Sequence, residues 1–391
     1  MQPTSLLSTI DALLSNGYVY IFLYIWVLCG VWVDLSNVSS RSKKSVFILS
    51  IIFLFTFIGI RWQTGTDWDS YKKLFDTLDL NWDSVVTTRH FDSGYVVLNL
   101  IVKSITDSYT VFLLVDSAVT GIILYYIIKR SSFYPSISVF LFYSNFMIAQ
   151  FMGSNRRMIA MVLILWFFYF ILNQAKIKSV VTLAISFLFH RSSIACVISF
   201  LIPKKIFNIK QTVLIISIGA MIGILGVRSS FFEMLNIFMQ ANYSDSSMAG
   251  SISAYTLHSE DHLVLYTSNP IVTTVLALGK RCVFLFFYIW IIVNSKKVID
   301  KVTCFFYNIN VVAISMYIAF IGSFFQMLSA YWAFAEIILI GRIFYYAPIR
   351  IKILFAVFMS FFGFFQLANA LSVYLDLYIP YLPFWTTIHR L

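Results

Sequence analysis

Residues Val46–Tyr71 read VFILSIIFLFTFIGI and then RWQTGTDWDSY. The first run, Val46–Ile60, is uncharged and apolar enough to cross a bilayer, where backbone groups must bond within a helix or a closed barrel. At Arg61 the chain leaves that run. It then presents an arginine, a turn at Gly65, the carboxylates Asp67 and Asp69, and the rings of Trp62, Trp68 and Tyr71. Chemistry this dense at the end of an apolar run points to a site at a membrane surface.

The rest of the chain supports a membrane setting. Of 391 residues, 60% are hydrophobic and 12% charged, and the mean hydropathy is +0.85. A soluble domain is about half apolar and about a quarter charged, so the composition is that of an all-α, polytopic integral membrane protein. Forty Phe, 23 Tyr and nine Trp suit faces that meet lipid and headgroups. A net charge of +11 would suggest nucleic acid in a soluble protein; here it reads as cytoplasmic loops and a bound anion, with no nucleic-acid partner. The four cysteines lie far apart in or beside apolar runs and read as core residues. Met1–Gly17 lacks the basic start and contiguous apolar segment of a cleavable leader.

Apolar runs predict about twelve crossings within one membrane domain over 1–391. They are Tyr18–Val33, Val46–Ile60, Tyr109–Ile128, Pro135–Met152, Met158–Leu172, Val180–Phe189, Ile194–Ile202, Val213–Gly226, Ile271–Val293, Val302–Phe325, Ala333–Tyr346 and Ile353–Leu375. Gly94–Ile105, with Lys103 in it, reads as a half-helix or interfacial helix. Two larger outer loops are expected, at about 61–93 and 228–269.

Alternate loops carry Arg41/Lys43/Lys44, Lys129/Arg130, Lys176/Lys178, Lys204/Lys205/Lys210, Lys296/Lys297/Lys301 and Arg350/Lys352, which places them in the cytoplasm. Those loops hold 12 Lys and three Arg, whereas the remaining basic residues are four Lys and nine Arg. Topology needs only positive charge. Arginine enriched on the other side suggests its planar fork, which grips phosphate or carboxylate through two bonds.

Each candidate constellation has two readings. Asp67 and Tyr71, four apart, share a face of any helix beginning near Thr66, and they equally suit a capped interfacial helix anchored by Trp62 and Trp68. The Asp67/Asp69 spacing is weak evidence for a cation, and no metal is expected. Arg156 and Arg157 open the Met158–Leu172 helix, where a cation opposes the helix dipole unless an anion offsets it; the alternative is snorkelling to headgroups. His190-Arg191-Ser192-Ser193 breaks an apolar stretch, giving either a hydrogen-bonded turn or a base beside an anion-holding arginine. Lys280, Arg281, Glu336 and Arg342 fall inside or near apolar helices, where ionisable groups pair or face a cavity. Arg281 and Arg342 suit phosphate or sugar, with Glu336 as a neutralising partner. His258 and His262, four apart in an acidic loop, lack a third zinc ligand.

Taken in order, Arg61…Gly65-Thr66-Asp67…Tyr71, Asp92-Ser93-Gly94-Tyr95, Arg156-Arg157-x-x-Ala160, His190-Arg191-Ser192-Ser193 and Arg342 near Tyr345 resemble the EpsG-type, or Wzy-type, polysaccharide polymerases of bacterial envelopes. One departure is Asp92, where a glutamate is commoner in that pattern. The resemblance implies a GT-C-like helical fold in the bacterial inner membrane and an active site facing the periplasm. It implies no cofactor. The substrate would be oligosaccharide repeat units on undecaprenyl diphosphate, as in O-antigen synthesis, and a chain-length regulator would be a partner. On this reading His190, Asp67 and Arg61 are the catalytic candidates, while Arg156, Arg157, Arg191, Arg281, Arg342 and Tyr71 bind diphosphate or sugar. An O-antigen ligase and a lipid-linked oligosaccharide flippase are the rivals; a flippase would show pseudo-symmetric halves, and the sequence shows no internal repeat.

Overall fold

The computed structural model describes residues 6–88, 91–225, 237, 270–321 and 324–387. The outer loop expected at about 228–269, His258 and His262, and Arg89, Arg228 and Arg390 therefore lie outside the described residues, Ile237 apart. Among the described residues the chain is helical, and its one β-type pairing is an isolated bridge between Arg61 and Pro383. Among the described residues seven helices are long and apolar enough to span a bilayer, or eight if one bent pair, Gln326–Ala333 with Glu336–Tyr346, is a single span. The expected dozen exceeds this for identifiable reasons. Pro135–Met152 changes winding halfway, and the segments around His190 form a 14-residue helix followed by a 3₁₀ helix. The segment expected at Val213–Gly226 is a 16-residue helix, Ile209–Ile224.

The chain divides into two compact units, one made of residues up to Ile194 and from Ile337 onward, the other of Ala195–Glu336. The first contains α1 (Leu6–Asn16), α2 (Tyr18–Leu35), α3 (Ser40–Gly59), α4 (Trp68–Thr77), α5 (Asp83–Thr87), α6 (Ser93–Lys103), α7 (Tyr109–Ser131) and α8 (Pro135–Phe142). It continues through a π-helix (Tyr143–Met152), α9 (Asn155–Leu172) and α10 (Lys176–Phe189). Here α3 packs on α7, α2 on α8, and α9 on both α7 and α10. Helix starts are capped as local chemistry requires: Ser39 accepts from the Ser42 amide, and Asp34 accepts from the amides of Ser136 (2.7 Å) and Ile137 (3.2 Å) at the start of α8. The second unit holds α11 (Ile209–Ile224), α12 (Pro270–Asn294), α13 (Lys301–Ala319) and α14 (Ser329–Ala333), with α11 and α12 against α13. The helix Glu336–Tyr346, α15, leads back into the first unit, which ends with α16 (Ile349–Ser372) and α17 (Leu375–Tyr378).

The loop at 61–93 is largely helical and packed. One face of α4, comprising Trp68, Tyr71, Leu74 and Phe75, is buried against Tyr95, Val96 and Leu100 of α6 and Tyr109, Phe112 and Leu113 of α7. Lys103, the one charge in the expected half-helix, has a specific task there. Its ammonium donates to the carbonyls of Phe75 (2.8 Å), Asp76 (2.8 Å) and Leu78 (2.7 Å), closing the negative end of α4. Lys103→Met should keep the apolar stem and lose those bonds, destabilising the unit by about 1–2 kcal/mol. Thermal unfolding in detergent checks this, and an unchanged midpoint would refute the role.

Candidate functional site

Four stretches of the larger unit meet: Arg61–Tyr71, Asp92 before α6, Ser154–Arg157 at the start of α9, and His190–Ser192 after α10. The first is shaped by the chain's later residues. The Trp62 amide donates to Leu382 O (2.7 Å), the Gly65 amide to Leu377 O (3.2 Å), and the Phe384 amide to Ile60 O (2.9 Å). Gly65 has φ +114°, and a Cβ there would collide with the carbonyl of Met152. Only glycine lets this turn lie against the end of the π-helix.

Arg61 is 1% exposed. Its guanidinium donates to Ile58 O (2.6 Å) at the end of α3, to Thr64 O (3.2 Å) in the turn, and to the Asn155 side-chain oxygen at the start of α9. Asn155 in turn donates to the Tyr95 hydroxyl (3.2 Å). Arg61 is thus a tie between elements, with its donors committed to protein carbonyls and an amide. The geometry fits an organising role better than contact with substrate.

Asp67 precedes α4, and its carboxylate makes no capping bond to that helix. It bonds instead to the side chains of Thr66 and Tyr71. The Tyr71 hydroxyl also meets Ser154 Oγ (3.0 Å) and the Nε of Arg156 (3.3 Å). The Tyr71 and Trp68 rings are core, Tyr71 against Tyr95 (5.2 Å between centroids) and Trp68 against Tyr109 (5.5 Å). Neither ring is a platform for a sugar face; of the three aromatics, Trp62 is the half-buried one.

Asp92 is the side chain whose importance sequence reading understated. It is 5% exposed, forgoes its N-cap bond to α6, and bridges two arginines. Oδ2 lies 2.7 Å from Arg156 Nη1 and Oδ1 3.2 Å from Arg191 Nε. Arg156 also lies over the rings of Phe91 (5.1 Å) and Tyr71 (5.8 Å). Arg157 donates to Gln150 Oε1 (3.0 Å). Three arginines and two carboxylates leave a net positive charge, at a helix N-terminus whose Ser154 supplies no side-chain cap. That arrangement suits an anion. Burial raises the Asp67 and Asp92 carboxyls above their ordinary values, against the arginines, which pull them down. His190, whose Nδ1 is 2.6 Å from Ser192 Oγ, is pushed down to about 3 by burial and then by Arg157 and Arg156. Its imidazole is neutral at every physiological pH and a weak base while the arginines face it without an anion. Among the described residues no three His, Cys, Asp or Glu side chains converge as a metal centre.

Arg156, Arg157, Arg191, His190, Asp67, Tyr71 and Arg61 thus come together. Arg342, expected on the outer side with them, sits elsewhere: its guanidinium donates to Ser131 O at the last residue of α7 and lies over Phe133 (4.3 Å). Tyr109, at the other end of that 23-residue helix, belongs to the cluster under Asp67, so Arg342 is about 35 Å of helix from the site, beside Lys129 and Arg130. Apolar flanks had hidden which end of α15 it occupies. Arg281 belongs to the smaller unit. There it donates to Ala277 O (2.9 Å) and stacks on Tyr317 (3.4 Å), while Glu336, held by Tyr288 (2.9 Å), acts electrostatically on Lys280 and Arg281. Asn155 and Gln150 were missed, since neutral polar residues beside charged ones give little signal.

The fold defines a multi-pass helical membrane protein with a cluster of arginines at the ends of its helices. A model of the EpsG family matches residues 44–383, nearly the whole chain, and the protein belongs to that family. Membership carries a polymerase-like, glycosyltransferase-related function in polysaccharide biosynthesis. Comparison with curated proteins and with solved structures returned no match.

The electrostatics predict a titration. In ¹⁵N-histidine NMR, His190 should stay neutral at pH 5, where an unperturbed imidazole of pKa about 6.5 is mostly protonated. Arg156→Ala and Arg157→Ala should each move its midpoint upward. A midpoint near 6.5 in the unaltered protein would refute the field described here.

Proposed function

We propose that the protein is a polymerase of lipid-linked glycans, joining oligosaccharide repeat units carried on undecaprenyl diphosphate at the periplasmic face of a bacterial inner membrane. The observation that carries this reading is the cluster of Arg156, Arg157 and Arg191 around Asp92 at the α9 N-terminus, a net positive site built for a diphosphate. A hydroxyl of one lipid-linked unit attacks the anomeric carbon of the chain on another. The new carbon–oxygen bond forms as the bond from that carbon to the diphosphate oxygen breaks. The lipid diphosphate takes the electron pair, and the arginines stabilise its charge. The hydroxyl proton goes to His190, whose basicity rises once the bound diphosphate offsets Arg156 and Arg157. Asp67, with its raised carboxyl, is the second candidate base and orients the acceptor with Tyr71. Arg61 holds the α3 and α9 ends that carry these groups. Arg342 is a tie at the other end of α7. A ligase acting on a lipid A core acceptor would use the same donor site.

Purified protein in liposomes with a lipid-linked repeat unit should yield a ladder of longer glycans. Transbilayer movement of the lipid without a ladder would mark a flippase instead. Arg156→Ala should lower the rate about 10²–10³-fold and His190→Ala about 10²–10⁴-fold, in protein that still purifies folded. Full activity in His190→Gln together with loss in Asp67→Asn would move the base to Asp67.

A further inference from the structure

The Pro135–Met152 run begins as α8 and rewinds into a π-helix from Tyr143. A cause sits at the junction: the Ser144 hydroxyl donates to Phe140 O (3.0 Å), competing for an acceptor of the α-helical ladder. Rewinding changes which side chains share a face. Bonding from i to i+5 winds about 4.4 residues per turn, so residues four and five apart straddle one line. Within Tyr143–Met152 the residues left unburied are Asn145, Ala149 and Gln150, which lie on that line. In an α-helix Gln150 would be turned about 140° away from Asn145.

The stripe starts at the anion site, because Gln150 Oε1 accepts from Arg157 (3.0 Å). It runs back one turn toward α8, into the apolar body of the unit. At its far end the Asn145 amide has neither its nitrogen nor its oxygen hydrogen-bonded, although both atoms are covered. Residue 145 as a whole is half-buried, and rotation about Cα–Cβ is the movement that would bring its amide to the open face. An amide without a partner one turn from an arginine site implies a polar group supplied from outside. Nor does a lipid-facing stripe suit Asn and Gln.

We propose that Asn145 is a ligand of the lipid-side phosphate of a lipid-linked diphosphate, donating from Nδ2 to a phosphoryl oxygen while the arginines hold the sugar-side phosphate. This rests on the diphosphate reading above. The sugar lies toward water and the prenyl tail toward the membrane, so a stripe descending from Arg157 meets the phosphate bonded to the lipid. The π-winding is what lets one helix face address both phosphates.

Binding to purified protein in nanodiscs tests this without requiring turnover. Two probes are used: undecaprenyl monophosphate, whose prenyl tail places its phosphate at the lipid side, and inorganic phosphate, which the arginines take up without a tail to place it. Asn145→Leu should weaken monophosphate binding about tenfold or more, the loss expected of one hydrogen bond to a charged group. Inorganic phosphate binding should change less than threefold. The thermal midpoint should not fall, since the orphaned amide is gone. Asn145→Asp, isosteric and repelling phosphate, should act in the same direction. Unchanged monophosphate binding in both variants, or equal loss of both probes, would overturn the assignment. Failure of the unaltered protein to form a glycan ladder, with the binding pattern intact, would refute the polymerase reading and leave this site standing.

Discussion

Arg61 carries a charge at a position with almost no exposure, and a buried guanidinium persists only where acceptors surround it. Those acceptors are the Ile58 carbonyl near the end of α3, the Thr64 carbonyl in the turn and the Asn155 side chain. One side chain therefore fixes where α3 ends, how the following turn is drawn, and where α9 begins. Everything in the site hangs from those points. Tyr71 and Asp67 follow the turn, and Arg156 and Arg157 follow Asn155 directly in the first turn of α9. Arg342 repeats the device at the far end of α7, where a guanidinium again meets a terminal helix carbonyl. Two buried arginines thus serve helix ends, while the partly exposed ones are left to meet an anion.

Asp92 sets how strongly that anion is held. A carboxylate between Arg156 and Arg191 keeps both guanidiniums oriented and tempers their combined charge. Burial, and after it the field of Arg157 and Arg156, keeps His190 deprotonated. Positioning, charge balance and the state of the imidazole are therefore one arrangement.

Much of this could be read without coordinates. Apolar runs locate spanning helices because lipid and core reward the same residues: Tyr18–Val33 matches α2, Tyr109–Ile128 matches α7, and Val302–Phe325 overlaps α13. Arginine enrichment opposite the lysine-rich loops singled out Arg156, Arg157 and Arg191, which do meet. Tertiary partners were not legible. Nothing local says that Arg61 faces carbonyls, that Trp68 is core, or that Arg342 lies at the Ser131 end. The π-winding was equally hidden, because its cause is a serine hydroxyl competing for one carbonyl. Lys103 marked Gly94–Ile105 as a half-helix or interfacial helix, but nothing near it in sequence told of the α4 carbonyls it serves.

The segment Leu377–Phe384 that clamps Ile60–Gly65 comes from the opposite end of the polypeptide; Tyr381, which donates to Phe57 O, lies 324 residues beyond it. During synthesis, α3 and the turn after it leave the ribosome long before their clamp exists. The wall carrying Asp67 and Tyr71 is therefore finished last, after nearly every other helix has been inserted. A nascent chain that has not reached Leu377 holds the arginines but not the completed wall, so the arginine cluster is finished by a segment made long after its first half.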